Sequence, residues 1–67
     1  MIKTELGQHI AKLRRHAGLT QEQLAEKTGY SVDFISLVER GINAPSVEGC
    51  EKIAAALKIS IKDLFDF

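Results

Sequence analysis

The chain has 67 residues, enough for a single domain over 1–67 and no second one. A chain this short buries only about 60% of the surface its unfolded form exposes, which leaves little room for a deep catalytic pocket beside a core. Nine basic side chains balance nine acidic ones, and 45% hydrophobic with 27% charged residues describes a globular chain rather than a disordered one. The zero net charge counts against a nucleic-acid binder, whose affinity normally rests on a basic surface.

Cys50 is the only cysteine, so no intrachain disulfide forms. With no signal-peptide pattern, and no apolar run near the roughly 20 residues of a membrane span, a cytoplasmic protein that does not touch the membrane is expected. A small core with neither disulfide nor metal often leans on a partner subunit, which is a first indication of a dimer.

The elements read as short helices separated by caps and stops. The first is expected from about Thr4, as N-cap, to Ala17, with Leu6, Ile10, Leu13 and Ala17 on one face and Gly18 as a left-handed stop. Thr20 followed by Gln23 is a capping box that opens the second helix, which buries Leu24 and Ala25 and ends at Gly29. The third follows Ser31, carries Phe34, Ile35 and Val38 inward, and ends at Gly41. A loop, Ile42-Asn43-Ala44-Pro45, leads to a fourth helix capped by Ser46, with Val47, Cys50, Ile53, Ala54 and Leu57 as its buried stripe. Ser60 caps a last short helix with Ile61, Leu64 and Phe65. No alternating run of β-branched residues is bracketed by turn pairs, so the class is all-α.

The second and third helices carry the functional signal. A tight corner between two helices needs a small residue where they meet and a residue able to take positive φ in the turn; Ala25 and Gly29 supply these, and Leu24, Ile35 and Val38 close the angle. This is a helix-turn-helix between Thr20 and Glu39.

The run Leu19-Thr20-Gln21-x-x-Leu24-Ala25-x-x-x-Gly29, then Phe34-Ile35-Ser36-x-x-Glu39-Arg40-Gly41, resembles the Cro/C1-type (XRE) helix-turn-helix regulators. Asn43-x-Pro45-Ser46, Ile53-Ala54-x-x-Leu57 and Leu64-Phe65 extend the likeness over almost the whole chain. The resemblance implies a five-helix, lambda-repressor-like DNA-binding domain and a transcriptional regulator, usually homodimeric, that puts its third helix into the major groove of a palindromic operator. Small phage repressors and restriction-modification controller proteins are the nearest in size.

Carried over position by position, the resemblance implies base contacts from Ser31, Val32, Asp33, Ser36 and Leu37. None of these is an Arg, Lys, Asn or Gln able to pair bidentately with a purine; Val32 and Leu37 suit thymine methyls, and Asp33 suits a cytosine amino group. A solvated or protein-binding face is the competing reading of the same residues. Gln21 matches a phosphate contact at a helix N-terminus, where free N–H groups and partial positive charge favour anions, or is simply a first-turn residue. Tyr30 is placed either on a phosphate or as a seal on the corner, and Arg40 and Asn43 on phosphate in the following loop. Phe34, lacking the hydroxyl of many relatives, is expected in the core, and Ile42 stands where relatives often have a basic residue.

Arg14 and Glu39 match an ion pair that orients the recognition helix. Ile59, Ile61, Leu64, Phe65 and Phe67 either close the monomer core or form a symmetric dimer contact, the reading that family and size favour.

Nothing points to an enzyme. His9 and His16 stand two turns apart on a helix, roughly 10 Å, too far to share one metal, and no zinc spacing, phosphate loop or catalytic triad is legible. No cofactor and no small-molecule ligand is expected. The partners expected are double-stranded DNA and a second copy of the chain; the alternative, from another class, is a protein-interaction module on the same fold, for example an antitoxin-like one, with weak or no DNA binding.

Overall fold

Side-chain caps set the start of four of the five helices. The computed structural model, which describes residues 1–67, contains α1 (Ile2–His16), α2 (Gln21–Thr28), α3 (Val32–Glu39), α4 (Val47–Leu57) and α5 (Ile61–Leu64), with no strand. The hydroxyls of Thr20, Ser31, Ser46 and Ser60 each accept from the backbone N–H three residues on. At α2 the capping box is complete: Gln23 Oε1 accepts from the Thr20 N–H at 2.8 Å while Thr20 Oγ1 accepts from the Gln23 N–H at 3.1 Å. Thr20→Ala is expected to cost about 1 kcal/mol, the usual worth of such a cap, read as a fall in urea midpoint.

The first helix starts earlier than Thr4. Met1 is its N-cap residue without a side-chain cap, and the Met1 carbonyl accepts from Thr4 and Glu5. Ile2 shares the helical phase of Leu6, one turn on, but is 69% exposed. Gly18, Gly29 and Gly41 take positive φ after α1, α2 and α3. The stop after α4 carries no glycine: Lys58 takes the left-handed conformation itself, at φ 60°.

Each helix gives at least one all but fully buried residue to a common centre: Ile10, Leu24, Ile35 with Val38, Ile53 and Leu64. Around it α1 packs on α3 and α5, α2 on α3 and α4, and α4 on α5. Two expectations need correction. Leu64, grouped with a dimer contact, is 0% exposed and belongs to the monomer core. Val47, placed on the buried stripe of α4, is 82% exposed. Its phase on the helix is that of Cys50, but the first turn of α4 borders an open cavity of about 450 Å³ in which nothing covers it.

α1 and α3 approach closely at Gly7. Gly7 is buried, and a Cβ added there would overlap the carbonyl oxygen of Val38 and lie 2.9 Å from that of Glu39. Only the absence of a side chain lets α1 lie against the end of α3.

Candidate nucleic-acid interface

Three residues, Gly29, Tyr30 and Ser31, join α2 to α3. The chain reverses there because Gly29 takes φ 79° with its N–H on the Ala25 carbonyl, and because Ala25, 6% exposed, lets α3 approach. Thr28, which carries no distinctive signal in the sequence, is buried and sends its hydroxyl to the carbonyls of Leu24 and Ala25 at 2.9 and 3.1 Å. The same Oγ1 accepts the Tyr30 N–H at 3.4 Å, so the last turn of α2 and the start of the corner are tied together.

Tyr30 lies inward over α4. Its ring packs against Phe34 with centroids 4.8 Å apart and planes tilted by 45°, Lys52 Nζ sits 5.5 Å from its centroid, and its hydroxyl comes close enough to Gly49 that a Cβ there would meet it at 2.7 Å. That geometry favours the corner-sealing alternative for Tyr30. Phe34, half-buried, packs against the core as expected.

The far end of α3 is held by charge. Arg14 Nε donates to Glu39 Oε2 at 2.6 Å, and its Nη2 to Oε1 at 3.1 Å, a bidentate pair whose side chains are 11% and 6% exposed. Arg14 Nη1 donates to the Leu19 carbonyl at 2.7 Å, which anchors the entry to α2 as well. Gln21 Nε2 donates to Glu39 Oε1 at 3.0 Å. One carboxylate on α3 therefore receives donors from α1 and α2 together, and no buried side-chain polar atom in the molecule lacks a partner. Such a pair adds little net stability against desolvation but fixes orientation.

With its two ends fixed, α3 turns Ser31, Val32 and Asp33 to solvent, while Ser36 and Leu37, one turn on, are half-buried. Arg40, Ile42 and Asn43 are exposed in the loop that follows. That loop is pinned: the N–H groups of Ile42 and Asn43 both reach the Leu37 carbonyl, and Lys3 Nζ donates to the Ile42 carbonyl at 3.3 Å. At the start of α2 the backbone N–H groups of Gln21 and Glu22 have no backbone acceptor, which leaves two donors and the positive end of a helix facing out.

Away from this face, Ile61, Phe65 and Phe67 are 41%, 43% and 49% exposed, and Ile59 is half-buried. His9 ties this end of the chain to α1, its Nε2 at 2.9 Å from the Asp63 carbonyl and its ring 5.6 Å from that of Phe67. Ile2, Leu6, Pro45, Val47, Ile61 and Phe65 line the open cavity. Cys50, 5% exposed, also lines it, and burial pushes its thiol above the ordinary range. The groove is not legible in the sequence because its walls come from three helices, and no local pattern brings Ile2, Val47 and Phe65 together.

A helix-turn-helix family model, HTH_3, matches residues 10–64. The HTH-type transcriptional regulator SinR of Bacillus subtilis is 36% identical over 62 residues, which is 91% of this chain; the chain spans 56% of SinR's length. The control protein C.BamHI of Bacillus amyloliquefaciens is 36% identical over 67 residues, covering 98% of this chain and 83% of that protein. Among solved structures, the restriction-modification controller protein C.AhdI from Aeromonas hydrophila superposes with a TM-score of 0.90 at 37% identity, over 92% of this chain and 90% of its own. Family model, relatives and fold agree with the corner built by Ala25, Gly29 and the Glu39 clamp, and the chain belongs to the XRE-type helix-turn-helix (HTH_3) family of DNA-binding transcriptional regulators.

Proposed function

We propose that the protein binds a palindromic operator in double-stranded DNA as a homodimer, with α3 in the major groove. The observation that carries this reading is the buried Glu39 carboxylate, held from α1 and α2, on a helix whose opposite end exposes Ser31, Val32 and Asp33. A helix fixed in this way presents side chains to base edges in one register. Val32, with Leu37 behind it, suits thymine methyls, Asp33 suits a cytosine amino group, and Ser31 and Ser36 donate or accept. Arg40, Asn43 and the free N–H groups of Gln21 and Glu22 face phosphates. Only Arg40 among these groups is cationic, so few phosphates are neutralised; at roughly −0.9 in the slope of log K against log[salt] per neutralised phosphate, the salt dependence is shallower than for a strongly basic binder. DNA shape then carries part of the selectivity. A DNA target implies a cytoplasmic location.

The exposed Ile61, Phe65 and Phe67, with Val47 across the open cavity, supply the dimer contact of this reading. Phe65→Glu is expected to weaken the dimer by about tenfold or more, since a buried phenyl is worth roughly 1.5–3 kcal/mol. Sedimentation at several concentrations measures it, and an unchanged association constant removes Phe65 from the interface. Truncation after Ser60 is a poorer test, because it also takes Leu64 out of the core.

The neutral charge and the aliphatic character of the face favour one other reading, a protein-docking module on the same fold. Titrating a pool of random-sequence duplexes at low and moderate salt tests the proposal. Binding that weakens with salt supports it, and no retention even at low salt supports the docking module.

A further inference from the structure

The resemblance matches Gln21 to a phosphate contact, yet its side chain points elsewhere. Its Nε2 donates at 3.0 Å to Glu39 Oε1, an oxygen that also accepts Arg14 Nη2 at 3.1 Å. Gln21 opens α2 and Glu39 closes α3, so this is the side-chain hydrogen bond that ties the start of one helix to the end of the other. The rest of the α2 N-terminus is arranged around it. Thr20 and Gln23 satisfy each other in the capping box, and the unpaired donors facing outward are the backbone N–H groups of Gln21 and Glu22.

We infer that the two parts of Gln21 have separate duties: its backbone N–H meets phosphate, and its carboxamide is a positioning group that sets the angle of α3 through Glu39. The inference rests on the DNA-binding reading above and goes beyond it by assigning specificity to a residue that touches no base. The carboxamide leans on a carboxylate already locked by Arg14, so it adds an orientation that α1 alone does not supply. Because backbone and side chain belong to one residue, phosphate capture at the head of α2 and the register of α3 on the bases are mechanically joined.

The test is Gln21→Met, which keeps the length of the side chain and removes the carboxamide that donates to Glu39. Far-UV circular dichroism and a urea melt check that the variant is folded. Random-duplex selection with sequencing, and salt titration of the selected site, are then run on the unaltered chain and the variant. The expected result is relaxed preference at the base pairs under α3, by roughly three- to tenfold, the worth of one hydrogen bond in a charged network, with an unchanged salt slope. The opposite pattern overturns the inference: base preferences intact, and affinity for every duplex lowered by one common factor, as the loss of an uncharged phosphate contact would give. Unchanged preferences with an unchanged affinity overturn it too. If the unaltered chain selects no duplex, the functional reading fails and takes this inference with it. If the unaltered chain selects a site and only the variant's pattern is wrong, the inference fails alone.

Discussion

Glu39→Ala is expected to destabilise the protein by about 3–5 kcal/mol, because it leaves the Arg14 guanidinium buried and unpaired. The Arg14 side chain is 11% exposed and keeps only the Leu19 carbonyl once the carboxylate is gone. Small domains hold only about 5–15 kcal/mol in all, so the variant should be partly unfolded near physiological temperature, as a urea melt will record. A loss below about 1 kcal/mol would mean that water reaches the pair and behaves as it does around surface ion pairs. The double replacement Arg14→Met with Glu39→Leu separates stability from orientation. Apolar residues of similar size often recover or exceed the stability of a buried pair. The double variant should therefore melt near the parent while its preference at the base pairs under α3 is degraded. Full stability with unchanged base preference would show that the network does not orient α3.

Gly7→Ala is the second large effect. Substituting alanine for glycine inside a helix normally stabilises by about 1 kcal/mol. Here the sign reverses, because the new Cβ meets the backbone carbonyls of Val38 and Glu39, and backbone cannot swing aside as a side-chain tip can. Overpacking of this kind costs about 1–3 kcal/mol even where neighbours can give, and α1 must instead move away from α3. A net loss of at least ~2 kcal/mol is expected, about 8–16 °C in Tm for a domain of this size. DNA affinity should fall with it, since the displaced end of α3 is the one Arg14 holds. Gly18→Ala serves as the control. It meets nothing within 4 Å and bears only the strain of φ +74°, roughly 1–2 kcal/mol. A Gly7→Ala melt no worse than that of the control would contradict the close packing of α1 on α3.

These two variants also mark where the sequence is readable. The capping box, the serine caps of α3, α4 and α5, and the glycine stops after α1, α2 and α3 follow from local chemistry, since each motif satisfies a backbone group within a few residues. Thr20, Ser31 and Gly29 accordingly stand where local chemistry puts them. Features that depend on what lies across the fold are less legible. Lys58 stops α4 in a conformation its residue type does not announce, with its N–H on the carbonyls of Ala54 and Ala55. Val47 has the right helical phase for burial, but phase says nothing about whether a neighbour exists. Leu64 groups with the surface in the sequence because a C-terminal apolar run looks alike whether it faces a partner or its own core. Gly7 does leave a signal: a glycine in mid-helix is costly unless something packs close to it.

The candidate site divides in the same way. The corner can be placed from the spacing of Ala25 and Gly29, and the Arg14–Glu39 pair from the resemblance alone. The turn of the Gln21 carboxamide onto Glu39, and of Tyr30 onto Gly49, depends on side-chain directions set by three-dimensional packing.

The most direct test of the central claim, that α3 reads bases, is selection from a random-duplex pool with sequencing, run on the parent and on Asp33→Asn. The account predicts an inverted repeat with half-sites about one turn, ~10 base pairs, apart. It also predicts that Asp33→Asn, which exchanges an acceptor for a group able to pair with adenine, changes the preferred base at one symmetric position and leaves the others in place. Enrichment of no sequence, or an identical selected site for the two proteins with no change at any position, would contradict it.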